Sequence, residues 1–107
     1  MEDDYQNLVG EIVNVRRKQI DKEKLQNNYV GRLKEVYPKA IHLSPCTRFD
    51  GEDSRANIKL KIEATENGDT ERLKRLTYAE DMEEMRTFEK ELIFSVQLLF
   101  RPDEDFD

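Results

Sequence analysis

Cysteine is almost missing from this chain: Cys46 is the single one in 107 residues. An intrachain disulfide is therefore excluded. A reducing, intracellular compartment, cytoplasmic or nuclear, is the expectation. Glycine is scarce, with four residues. Neither a Gly-rich phosphate cradle nor a nucleophile elbow is written anywhere in the sequence. Long apolar runs are lacking too. The most apolar stretch, Leu92 to Phe100, is broken by Ser95 and Gln97. It falls far short of the roughly 20 residues that span a bilayer. The start, Met1-Glu2-Asp3-Asp4, is acidic and lacks the basic and apolar regions of an export signal.

Histidine is limited to His42, so the groups that carry most chemistry are few. His42, Cys46 and Asp50 form an evenly spaced trio. In a straight strand, however, His42 and Cys46 lie about 13 Å apart at about 3.3 Å per residue, beyond hydrogen-bond reach. A structural zinc site needs four ligands, and these two are the only soft ones. Asp50, Glu52 and Asp53 flank Gly51 without the alternating pattern of a calcium loop. No enzyme activity, metal or cofactor is expected.

What is abundant is charge. Charged residues make up 39% of the chain and hydrophobic ones 36%, with a net charge of -6. Residues 1–40 carry eight Lys/Arg against seven Asp/Glu, a net of +1; residues 41–107 carry ten against seventeen, a net of -7. This balance argues against direct nucleic-acid binding. Arg16-Arg17-Lys18 with Lys22 and Lys24 read chiefly as a solvated helix face, and Lys59 with Lys61 as a basic strip on the outer sheet face that could contact a phosphate backbone without sequence specificity.

The N-terminal third reads as helix. Tyr5, Leu8, Ile12, Val15, Gln19, Lys22, Gln26, Tyr29, Leu33 and Val36 keep one 3-4 spacing, the a/d frame of a coiled-coil stripe. One continuous helix and two helices broken near Asp21 both fit, and Pro38 ends the pattern. A continuous helix would leave Tyr5, Leu8, Ile12 and Val15 uncovered by so short a chain. Together with Tyr29 and Leu33, they are the expected partner-binding residues.

The middle reads as sheet. Ala40–Phe49 is a strand interrupted by Pro45. Asn57–Thr65 alternates cleanly, with Ile58, Leu60, Ile62 and Ala64 on one face, and Asn67-Gly68 offers a hairpin turn. The last third reads as a second helix through Tyr78, Met82, Met85, Glu89, Leu92, Val96 and Leu99, with Thr77 and Glu80 as a capping box. A strand at Phe94–Leu98 competes for the same residues. The tail Asp103-Glu104-Asp105-Phe106-Asp107 resembles a short acidic docking motif.

These elements add up to an α+β fold: a long N-terminal amphipathic helix, a small antiparallel sheet of two to three strands, and a C-terminal amphipathic helix. The expected organisation is one domain over 1–101, helical over 1–37, sheet over 40–77 and helical over 78–101, followed by an acidic tail over 102–107. The run Leu33-Lys34-Glu35-Val36-Tyr37-Pro38, in that order of elements, resembles the RWD fold, whose first helix often ends in a Leu-x-x-Ile-Tyr-Pro run. The resemblance spans residues 25–100. It implies a domain that follows a coiled coil and dimerises, as in kinetochore subunits, and it carries over no functional residue.

The leading functional expectation is a non-catalytic protein–protein interaction module that forms homo- or hetero-oligomers or docks through its N-terminal helix, away from membranes. The alternative is a small acidic regulator that occupies a basic or nucleic-acid-binding site on a target. Its docking surface is Glu80, Glu83, Glu84, Asp103, Glu104 and Phe106.

Overall fold

A computed structural model describes residues 4–18, 28–49 and 53–100. A 3-10 turn over Asp4–Leu8 leads into β1 (Ile12–Arg17), β2 (Asn28–Val36) and β3 (Ala40–Arg48). Two helices follow, α1 (Arg55–Glu66) and α2 (Thr70–Lys74). After a 3-10 turn at Ala79–Asp81 come β4 (Arg86–Glu89), a 3-10 turn at Lys90–Leu92, and β5 (Ile93–Leu98). The five strands form one antiparallel sheet in the order β4-β3-β2-β1-β5.

This overturns the expected α+β arrangement. No long N-terminal helix and no coiled-coil stripe exists among the described residues. β1 and β2 run through the stretch that was expected to be helical, and the expected break near Asp21 lies outside the described residues. The physical reason is burial on both faces. Ile12 faces one side of the sheet and Val13 and Val15 the other; Tyr29 and Val30 divide in the same way. A doubly buried strand shows no polar alternation, so its apolar residues also satisfy a 3-4 frame. The residues off that frame decide the matter, since Val13 and Val30 are fully buried. β-Branched side chains at Ile12, Val13, Val15, Val30 and Val36 favour the pleated form.

The reverse correction holds for Asn57–Thr65, which belongs to α1. Ser54 caps it, its Oγ accepting the Asn57 N–H at 3.0 Å. Ile58, Lys61, Ile62 and Ala64 are buried, a helical spacing that overlaps the period of two at most positions. Asn67-Gly68 closes this helix and does not turn a hairpin. Gly68 adopts φ 66°, its N–H bonds the Thr65 carbonyl at 3.2 Å, and the Asp69 N–H bonds the Ala64 carbonyl at 2.9 Å. That pair of bonds is a Schellman cap, which needs the left-handed conformation glycine adopts freely.

The expected C-terminal helix is absent as well. Tyr78 takes φ 60°, and Thr77 Oγ1 accepts from the Asn57 side chain at 3.0 Å without capping a helix. Phe88 and Ile93, both off the helical frame, are buried, whereas Met85 on the frame is 54% exposed. The competing strand at Phe94–Leu98 is the element that forms.

One connection shapes the whole sheet. β4 and β5 occupy opposite edges, yet only Lys90–Leu92 joins them. In a flat sheet those edges lie about 19 Å apart at about 4.8 Å per strand. A 3-10 turn rises only about 2 Å per residue. The sheet therefore curls, so that one short turn reaches from the start of β3 to the end of β1. The turn is pinned at both ends, Lys90 N–H to the Lys39 carbonyl at 2.9 Å and Lys18 N–H to the Leu92 carbonyl at 2.8 Å.

The curl encloses a first core of Val13, Val15, Tyr29, Leu33, Ile41, Leu43, Cys46, Phe88 and Ile93, with Tyr5 and Leu8 packed against it. On the outer face, α1 sets Ile58 and Ile62 against Ile12, Val30 and Leu99.

Candidate docking site

The six residues expected to bind a partner through an N-terminal stripe are placed in or against this chain's own core. Ile12, Val15, Tyr29 and Leu33 are buried, and Tyr5 and Leu8 are half-buried against the inner cluster. Of the acidic set, Glu80 and Glu84 are exposed. Glu83 is committed elsewhere: both its carboxylate oxygens accept from Arg86 at 3.1 Å, and its backbone bridges to Cys46. Asp103, Glu104 and Phe106 lie outside the described residues.

His42 and Cys46 are not brought together. Cys46 is buried in the inner core, while the His42 ring packs edge-on to Tyr37 at 4.8 Å between centroids. Burial first, then the nearby Glu83 carboxylate, pushes the Cys46 thiol up to about 12, with Arg86 pulling the other way. The thiol therefore stays protonated and is a poor nucleophile. Among the described residues no group of three His, Cys, Asp or Glu side chains is placed to hold a metal ion. No helix among them is long and apolar enough to cross a membrane.

The feature that stands apart is the β5 edge. β5 pairs with β1 on one side and, among the described residues, with no strand on the other. The Leu99 N–H bonds the Ile12 carbonyl at 3.0 Å, which sets the phase of the ladder. Ser95 and Gln97, paired with Arg16 and Asn14, turn their N–H and C=O groups toward β1. Val96 and Leu98 turn theirs outward, to the open side.

β5 reads Ile-Phe-Ser-Val-Gln-Leu, with no charged residue in a chain that is 39% charged. Edge strands are normally blunted by brevity, charge or proline. The opposite edge is protected in that way: β4 has four residues and carries Arg86 and Glu89. Among the described residues β5 has no comparable protection along Val96–Leu98.

At the start of β5 the ladder slips. Arg16 pairs with Ser95 but Arg17 pairs with Ile93, leaving Phe94 as the extra residue of a bulge. The bulge lets Ile93 and Val96 both face the core and sends Phe94 outward. Phe94 is 67% exposed, the most exposed of the large hydrophobic side chains among the described residues. The Arg16 guanidinium lies 5.5 Å from its ring centroid, a cation–π contact that orients the ring without covering it. Arg16 and the neighbouring Lys18 are themselves exposed.

The sequence does carry the signal for this edge. Leu92–Phe100 is free of charge and holds Phe94. Reading the run as the apolar face of a helix conceals that its backbone is available.

Surface depressions offer less. One of about 590 Å³ sets Lys39 and Lys90 among Glu89 and Glu91 beside Pro38. Four of its seven lining residues are charged and none is aromatic, unlike a typical small-molecule pocket.

No family model, curated protein or solved structure matches the chain.

Proposed function

We propose that this chain is a non-catalytic protein-interaction module that takes a partner's extended segment as an added strand along the free edge of β5. One observation carries the reading. Ile93–Leu98 is an uncharged edge strand whose Val96 and Leu98 backbone groups point away from the sheet, beside a 67% exposed phenylalanine. An edge of that kind is a template for another chain.

The chemistry of the edge specifies the partner. Along Val96–Leu98 the incoming strand is uncharged, because β5 itself carries no charged side chain. Where it passes the start of β5 it is acidic, because exposed Arg16 and Lys18 stand beside Phe94. Four backbone hydrogen bonds at about 0.5–1.5 kcal/mol each, with Phe94 covered for up to about 2–3 kcal/mol, suit a transient interaction. The buried, unpaired Cys46 fits work in a reducing, intracellular setting.

Selection of peptides on the immobilised chain tests this directly. Enriched sequences should be extended, uncharged over three to five positions and acidic at one flank. N-methylation of alternate peptide backbone amides should abolish binding, as should Val96→Pro in the chain. Peptides that bind equally well after N-methylation would falsify strand addition.

A further inference from the structure

We propose that Arg17, Tyr29 and Arg86 form a binding site for an oxyanion, a carboxylate or phosphate group, at the inner mouth of the curled sheet. The site is independent of the β5 edge.

The strands bring these three together. Arg17 follows Val13 and Val15 on the inner face of β1. Tyr29 is the second residue of β2. Arg86 opens β4 opposite Leu43. Tyr29 is only 4% exposed. Its ring has the Arg17 guanidinium 5.0 Å from the centroid and the Arg86 guanidinium at 4.5 Å, with Phe88 packed at 5.3 Å. The Tyr29 hydroxyl accepts from Arg17 Nη2 at 3.5 Å and from Arg86 Nη1 at 3.4 Å, both at the long limit for a hydrogen bond.

Three features of this cluster are incomplete in the same sense. The charge does not balance: Arg86 is held in a two-pronged contact by Glu83, but no carboxylate lies within 4 Å of Arg17 among the described residues. Two guanidiniums and one carboxylate leave a net charge of about +1 in a partly buried place, where an unpaired cation is costly. Arg17 Nε is buried and has no hydrogen-bond partner. A group like that requires explanation, because buried donors are nearly always satisfied. Lastly, the Tyr29 oxygen accepts twice, while its own O–H proton meets no acceptor among the described residues.

Every unmet need is therefore for an acceptor, and none is for a donor. Arg17 Nη2 and Arg86 Nη1 converge on the Tyr29 oxygen, which places the donors of all three side chains together. A group with several acceptor oxygens, no donor and about one negative charge completes the set. That description fits a carboxylate or a phosphate and excludes a cation or a neutral amide. Arginine suits the task because its planar fork contacts two oxygens at once. The groups facing the site are Glu83, which restrains Arg86, and the Cys46 thiol behind it, which stays neutral.

The test is an anion titration of the intact chain, followed by NMR of the arginine Nε–Hε signals. Sodium phosphate and sodium acetate are the probes, with sodium chloride at matched ionic strength as the control. The expected result is a saturable shift of the Arg17 and Arg86 signals with phosphate, acetate or both, and only a small, non-saturating drift with chloride. Saturation by acetate alone assigns the site to carboxylates, and saturation by phosphate alone to phosphate groups. Arg17→Gln should weaken the response at least about tenfold, since it removes the charge-assisted donor. Tyr29→Phe keeps the stacked ring and removes only the hydroxyl, so it should weaken the response while leaving the fold intact. A wild-type response no different from chloride overturns the proposal. So does a saturable response that persists undiminished in Tyr29→Phe and Arg17→Gln.

Discussion

Gly31 on β2 lies directly against Pro45 on β3: a Cβ at position 31 would stand 2.3 Å from the Pro45 carbonyl oxygen and 3.1 Å from the Cys46 Cα. At this point Ser44 and Pro45 bulge out of register, so that Gly31 pairs with Cys46 and Leu33 with Leu43. The strand bends inward where the neighbouring residue has no side chain. Backbone cannot retreat as a flexible side chain would. Gly31→Ala is therefore expected to cost about 1–3 kcal/mol, and Gly31→Val more, in urea unfolding. A neutral Gly31→Ala would contradict this pairing of β2 with β3.

Lys61 should behave as a structural cation. It is 1% exposed, its Nζ is 2.8 Å from Asp53 Oδ2, and it donates to the Tyr78 carbonyl at 3.1 Å. The Asp53 contact is an ion pair by distance but is not aligned as a hydrogen bond, since Oδ2 counts no such partner. Asp53 Oδ1 accepts from the Ser54 N–H and the Asn57 side chain. Together these contacts hold the turn around Tyr78 against α1. Lys61→Met should destabilise by about 3–5 kcal/mol, because it strands a buried carboxylate. Adding Asp53→Asn should return part of that loss in a double-mutant cycle.

Cys46 reports on opening of the inner core. With its thiol pushed up to about 12, chiefly by burial, it should resist iodoacetamide at pH 8 in the native chain and react once urea unfolds it. Stability should respond as well. A value raised by folding contributes stability that is fully present below the unfolded thiol value, about 8.5, and is lost as pH climbs through about 12. Wild type should therefore lose more stability than Cys46→Ala between pH 9 and 11, measured by urea midpoints at each pH. Equal losses would mean the thiol is not shielded.

Phe94 should separate stability from binding. At 67% exposure it adds little to the core, so Phe94→Ser should change unfolding free energy by no more than about 0.5 kcal/mol. The same substitution should weaken a β5-directed peptide several-fold. A large stability loss would place Phe94 in the fold and not at a docking edge.

Which parts of this structure the sequence discloses follows from how each element is buried. β3 is legible from the alternation of Ile41 and Leu43, although Pro45 interrupts it. β1 and β2 are not, because apolar residues on both faces erase the alternation that marks a half-buried strand. α1 is misleading for the opposite reason. Lys59, Lys61 and Glu63 alternate with Leu60 and Ile62, and only the partnering of Lys61 with Asp53 allows a lysine to sit inside. The helix-ending role of Asn67-Gly68 depends on what precedes it, so the same dipeptide signals a hairpin when α1 is taken for a strand. The candidate edge is visible in composition, as a charge-free run, but not in geometry. The Arg17, Tyr29 and Arg86 cluster has no sequence signature at all, since three strands distant along the chain assemble it.

Amide hydrogen exchange, followed residue by residue along β5, tests the central claim most directly. In the free chain Ser95 and Gln97, bonded to β1, should exchange slowly, while Val96 and Leu98, facing the open side, should exchange fast. A saturating edge-binding peptide should slow Val96 and Leu98 and leave Ser95 and Gln97 nearly unchanged. Slow exchange at Val96 and Leu98 in the dilute, free chain would contradict strand addition, because the edge proposed for docking would already be covered.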